Sequence, residues 1–158
     1  MMKKCYFILL AMIFMQVNCY AFTPQNACKY MTSVSGLSTN GYKSDGMGEY
    51  FCASNYKLLD GKTNIAYYAE GSGNNAKKVY LVLNLYNTSN KAAMMSNFVS
   101  SAKILSKNSI NYTLDNVIIT AMQSGKSGSW KLGKYTIEVK KQNFSTGLGS
   151  EIHFIIKE

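Results

Sequence analysis

Arginine is absent from this chain: all 17 basic residues are lysine, set against 8 acidic residues. Bidentate recognition of phosphate or carboxylate relies on the guanidinium fork, whereas lysine offers a hydrated point charge on a flexible stem. The absence argues against specific nucleic-acid reading and leaves a diffuse attraction to anionic surfaces. Histidine occurs once, at position 153, so any Ser-His-Asp or Cys-His mechanism has a single candidate base. Metal sites want clustered His, Cys or carboxylate ligands, and one histidine with dispersed acids falls short, so no metal or other cofactor is expected. Proline also occurs once, at Pro24, and no apolar run reaches the roughly 20 residues that a membrane-spanning helix needs.

What is present begins with residues 1–21. Lys3 and Lys4, the apolar run of 11 residues from Cys5 to Met15, and Cys19-Tyr20-Ala21 form the three regions of a secretory signal peptide. Cleavage after Ala21 would leave residues 22–158, enough for one domain with its own core and too few for two. The expected location is periplasmic or secreted. Cys19 raises the alternative of lipidation, although Gln16, Val17 and Asn18 depart from the Leu and small residues that precede a lipoprotein cysteine.

Cleavage also removes Cys5 and Cys19, leaving Cys28 and Cys52. Two cysteines in an oxidising compartment predict one disulfide. It would close a loop of about 25 residues, a constraint worth roughly 3 kcal/mol in the chain-entropy account. No C-x-x-C spacing marks a redox-active pair.

Thr23-Pro24 reads as an N-cap followed by a first-turn proline, with a short helix carrying Ala27, Cys28, Met31 and Val34 to about Ser33. Gly36–Gly48 reads as a loop. Three strand-like segments follow at Glu49–Leu58, Asn64–Glu70 and Val79–Tyr86, separated by Asp60-Gly61 and Gly71–Asn75. In the last of them Val79, Leu81, Leu83 and Leu85 alternate with Tyr80, Val82, Asn84 and Tyr86.

Ser89 or Asn90 can cap a helix to about Lys107, with Met94, Phe98, Ala102 and Leu105 on one face, broadened by Met95, Val99 and Ile104. Asp115–Gln123 suits either a strand or a short helix. A closing hairpin spans Trp130–Glu158, where Tyr135, Ile137 and Val139, then Ile152, Phe154 and Ile156, occupy alternate positions. The sum predicts one α+β domain: an antiparallel sheet of about five strands, one or two helices on one face, and one disulfide.

The cysteine-bearing helix Asn26-Ala27-Cys28-Lys29-Tyr30, the strand Tyr50-Phe51-Cys52, the Leu-rich strand, the amphipathic helix and the hairpin after Trp130 resemble small exported domains of unknown function from Gram-negative bacteria. The resemblance implies a periplasmic location. It brings no catalytic residue.

Chemistry-bearing residues are sparse. His153 is out of phase with Ile152 and Phe154 and is expected to face away from the core. The carboxylates stand singly, so no acid pair appears at motif spacing, although glycosidase acids need only be about 5–10 Å apart in space. Gly125-Lys126-Ser127 ends like a phosphate loop, but Thr120 stands where the motif requires glycine.

One segment combines rings with positive charge: Trp130, Lys131, Lys134, Tyr135, Lys140, Lys141 and Phe144 form a candidate binding surface. The favoured expectation is a non-enzymatic binding or interaction protein of the inhibitor, immunity or envelope-accessory type. Its partner would be an anionic envelope component or another protein, not nucleic acid. The alternative is a small secreted hydrolase or toxin built around His153.

Overall fold

The computed structural model describes residues 22–44, 49–61, 63–72, 75–86 and 90–158. The signal peptide expected at residues 1–21 lies outside them. α1 (Pro24–Ala27) is a single turn whose cap Thr23 accepts from the Asn26 amide at 3.4 Å; turns, not helix, continue beyond Cys28. The loop expected from Gly36 contains a short edge strand, β1 (Lys43–Ser44).

The segment read as one strand from Glu49 divides into β2 (Glu49–Ala53) and β3 (Lys57–Leu58). Ser54 is the cause. Its hydroxyl accepts from the Tyr67 amide at 2.9 Å while its own amide donates to the Tyr67 carbonyl at 2.9 Å. A side chain thus takes the place of a backbone acceptor and breaks the ladder.

β4 (Asn64–Ser72) and β5 (Asn75–Tyr86) are longer than the alternation alone suggested. The register shifts at Glu70/Gly71, where a Cβ on Gly71 would lie 1.9 Å from the Asn75 carbonyl oxygen, so only glycine fits. α2 (Lys91–Ile110) ends at Asn111 in the left-handed conformation, φ 52°. The ambiguous segment is helical: α3 (Asn116–Ser124) starts at extended Asp115 and stops at left-handed Gly125. The terminal hairpin is a three-stranded meander of β6 (Gly128–Leu132), β7 (Tyr135–Asn143) and β8 (Gly149–Lys157).

The sheet is antiparallel throughout, in the order β1-β2-β4-β5-β8-β7-β6, with β3 beside β4. The α+β fold with an antiparallel sheet is as expected; among the described residues the sheet has more strands than the five expected, and there are three helices rather than one or two. α2 lies against β5 and α3 against β7, so the pair carries the chain across one face to the far edge, and β8 returns to pair with β5.

All the helices cover the same face. Tyr67, Leu81, Leu83, Phe154 and Ile137 are fully buried there against Phe98, Leu105, Ile118 and Met122 of α2 and α3. Each such side chain contributes about 1.5–3 kcal/mol of burial. Met94, Met95, Phe98, Val99, Ala102 and Leu105 all point inward as the stripe requires, whereas Ile104, a full residue off it, is exposed.

Cys28 and Cys52 are bonded with Cα atoms 5.9 Å apart, tying the N-terminal turn to β2. Among the described residues no helix is long and apolar enough to cross a membrane.

Candidate functional site

Strand residues alternate between faces, so each core position in this sheet implies a neighbour on the side that, among the described residues, no helix covers. Registers across β4, β5, β8 and β7 place those neighbours in four rows: Glu70, Lys78, Lys157 and Thr136; Tyr68, Tyr80, Ile155 and Glu138; Ala66, Val82, His153 and Lys140; Asn64, Asn84, Glu151 and Gln142. Tyr86 extends the last row along β5.

The centre of this face is aromatic. Tyr68 and Tyr80 stack with ring centroids 5.0 Å apart and planes 14° from parallel, and His153 continues the stack 6.2 Å from Tyr80. Stacked neighbours on a sheet stand edge-on, so their hydroxyls face outward and need partners. Tyr68 donates to the Tyr56 hydroxyl at 3.1 Å, and Tyr80 donates to the Glu70 carboxylate. Burial, then the bond to Tyr56, raises the Tyr68 pKa; burial, then the bond to Glu70, raises that of Tyr80. Ala66 and Val82 lie beneath this layer and are buried although no helix reaches them.

Charge on the face is paired. Lys78 meets Glu70 at 2.6 Å and sits 5.2 Å from the Tyr80 ring centroid. Glu138 receives Lys157 at 2.6 Å and Lys140 at 3.0 Å. The hydrogen bond from Lys157, followed by that from Lys140, holds the Glu138 carboxyl below the ordinary carboxylate range against an opposing burial effect. The His153 ring, through Nε2, pairs with Glu151.

At the amide end of the face lies an open groove of about 650 Å³, lined by Tyr86, Gln142, Asn143, Phe144, Ser145, Thr146, Leu148 and Glu151. The β7–β8 loop forms its rim. Internal bonds shape that loop: the Phe144 amide donates to the Gly149 carbonyl and the Gly147 amide to the Phe144 carbonyl, both at 3.0 Å. Gly149 is pressed so close to β5 that a Cβ there would lie 2.3 Å from the Leu85 carbonyl oxygen. The rings of Tyr86 and Phe144 meet at 5.3 Å with a 47° tilt.

The seven residues of the candidate binding surface do not share one surface. Trp130 and Tyr135 lie on the helix side, where Tyr135 packs 5.8 Å from Phe22. Lys141 lies on that side too, its stem against Gly125. Lys131 and Lys140 are on the opposite face. Lys134 occupies the β6–β7 turn and pairs with Glu158 at 3.0 Å, and Phe144 belongs to the groove at the far end of β7. His153 faces away from the core as its strand phase requires.

Sequence reasoning passed over Tyr56, Tyr68, Tyr80, Tyr86, Asn64 and Asn84. A signal existed. Outward positions of β4 and β5 carry tyrosine and asparagine where an idle solvent face carries lysine, glutamate and threonine.

No known protein family, curated protein or solved structure matches the chain. Among the described residues no group of three or more His, Cys, Asp or Glu could hold a metal ion.

Proposed function

We propose that this is an exported, non-enzymatic binding or interaction protein, periplasmic or secreted, that engages its partner through the helix-free face of the sheet. The observation that carries the reading is the composition of that face: stacked tyrosines and a histidine, with a groove at one end, on a surface that packing has left uncovered. Tyrosines with two rotatable bonds present large contact area at low entropic cost, which is why they anchor interfaces. The Cys28–Cys52 bond supports the exported setting, in keeping with the signal-peptide pattern of residues 1–21. Paired charges on the face favour a protein or glycan partner over a purely anionic surface.

The test is photo-crosslinking in periplasmic extract. A crosslinking side chain replacing Lys140 or Asn84, on the open face, is expected to give a discrete adduct, and one replacing Val117 or Ile104, on the helix side, is not. Equal yield from both faces overturns the choice of face. His153→Gln is expected to keep the adduct. A hydrolase using this base would instead lose about 100-fold or more of its rate.

A further inference from the structure

The groove beneath the β7–β8 loop differs from the rest of the surface in what lines it. We propose that it is a binding subsite for an uncharged carbohydrate, of one to two pyranose units. The inference deepens the reading of the helix-free face as a binding face and rests on it.

Size comes first. A volume of about 650 Å³ falls within the roughly 300–1,000 Å³ of small-ligand sites. The apolar surface is the Leu148 side chain and two rings, Tyr86 and Phe144, inclined at 47° rather than stacked flat on each other. Ring faces carry negative potential, and the axial C–H bonds of a pyranose present a weakly positive apolar patch to such a face.

The polar lining matches the other side of a sugar. Gln142 and Asn143 supply amides that both donate and accept, Thr146 supplies a hydroxyl and Glu151 accepts. Sugar hydroxyls likewise donate and accept, so each can be satisfied twice. A carboxylate or phosphate ligand would find neutral donors here but, among the described residues, no cation to offset its charge.

Charge makes the contrast sharper. The chain carries a large excess of lysine, yet among the described residues no lysine lines this groove, and the carboxylate that does, Glu151, is already engaged by His153. The cleft at the opposite end of the same face is built from Lys77, Lys78 and Lys157 with Glu70 and Glu158. Charged groups dominate that cleft, whereas a neutral polyol is favoured between Tyr86 and Phe144. The loop that forms the rim is held by its own backbone bonds, so little ordering is needed on binding.

The experiment is a titration of the isotope-labelled protein with neutral disaccharides (lactose, cellobiose and di-N-acetylchitobiose) and with glucuronic acid as the anionic comparison. A neutral sugar is expected to shift the side-chain amide signals of Gln142 and Asn143 and the ring signals of Tyr86 and Phe144, saturating at millimolar concentration or below. Tyr86→Ala and Phe144→Ala are each expected to weaken binding tenfold or more, and Lys131→Gln to leave it unchanged. If Phe144→Ala unfolds, the exposed pair Gln142→Ala and Asn143→Ala serves in its place, with the same tenfold expectation. Absence of groove shifts with every neutral sugar overturns the proposal, as does tighter binding of glucuronic acid. The two readings fail separately: open-face crosslinks with no sugar binding remove the subsite alone, and sugar binding without any crosslink removes the protein-partner reading alone.

Discussion

The hydroxyl of Tyr67 donates to the carbonyl of Ala27, the residue immediately before the bridged Cys28. Tyr67 is fully buried on β4, two residues from Ala69, which pairs with Cys52. A hydrogen bond and a disulfide therefore fix the N-terminal turn to adjoining strands of one sheet.

Tyr67→Phe keeps the ring and deletes only the donor. The Ala27 carbonyl would then be buried without that partner, and the expected loss is about 1–3 kcal/mol. Denaturant unfolding of the two proteins checks it; equal midpoints would show that the bond contributes nothing net.

Cys28 and Cys52 are expected to yield no free thiol in the purified protein under non-reducing mass spectrometry. Cys52→Ala should cost about 2–4 kcal/mol and lower the melting temperature by many degrees in a domain of this size. Recovery of two alkylatable thiols at these positions would contradict the oxidised state.

The tyrosines give a pH dependence. Tyr67, Tyr68 and Tyr80 all have pKa values raised above 10.0, with burial as the leading cause. A raised folded-state pKa favours the protonated form, so this contribution to stability is complete below the unfolded pKa near 10 and is lost as pH rises beyond it. Alkaline spectrophotometric titration should show some tyrosines ionising near pH 10 and these three only as the protein unfolds. Ionisation of Tyr67, Tyr68 and Tyr80 together with the other tyrosines, with the fold intact, would overturn the burial of Tyr67 and the half-buried Tyr68–Tyr80 stack.

Much of the fold was legible because one sheet face is apolar. Val79, Leu81 and Leu83, or Ile152, Phe154 and Ile156, announce a period of two that only a half-covered strand explains. β6 escaped because Gly128-Ser129-Trp130-Lys131-Leu132 is an edge strand with no fully buried residue to mark its phase. Asp115–Gln123 could not be settled from its β-branched Val117-Ile118-Ile119; the deciding facts are an extended Asp115 and a left-handed Gly125 at its ends. The open face was half legible: that Tyr80 and His153 point outward follows from phase, but that they stack depends on β8 pairing with β5. That pairing is made across two intervening helices and two strands, so local pattern carries no trace of it.

Trp130 packs against the core at the sheet edge, its ring folded over Gly128 so closely that a Cβ there would lie 2.5 Å from it. Gly128→Ala must displace the ring and is expected to destabilise by about 1–3 kcal/mol. Trp130→Ala is expected to cost about 3 kcal/mol of stability while open-face crosslinking persists. Lost crosslinking with unchanged stability would instead make Trp130 an anchor for the partner.

The strands that build the core also display the tyrosine stack, on intervening positions of the same residues' run. Inserting one residue at the start of β5 would reverse the facing of every residue after it, sending Leu81 and Leu83 to water and Tyr80 under the helices in one stroke. Substitutions at Tyr68, Tyr80 or Asn84, by contrast, leave every position packed under the helices as it was. This architecture therefore resists changes of length and tolerates changes of identity on its open side, so a descendant chain can acquire a new partner without learning to fold again.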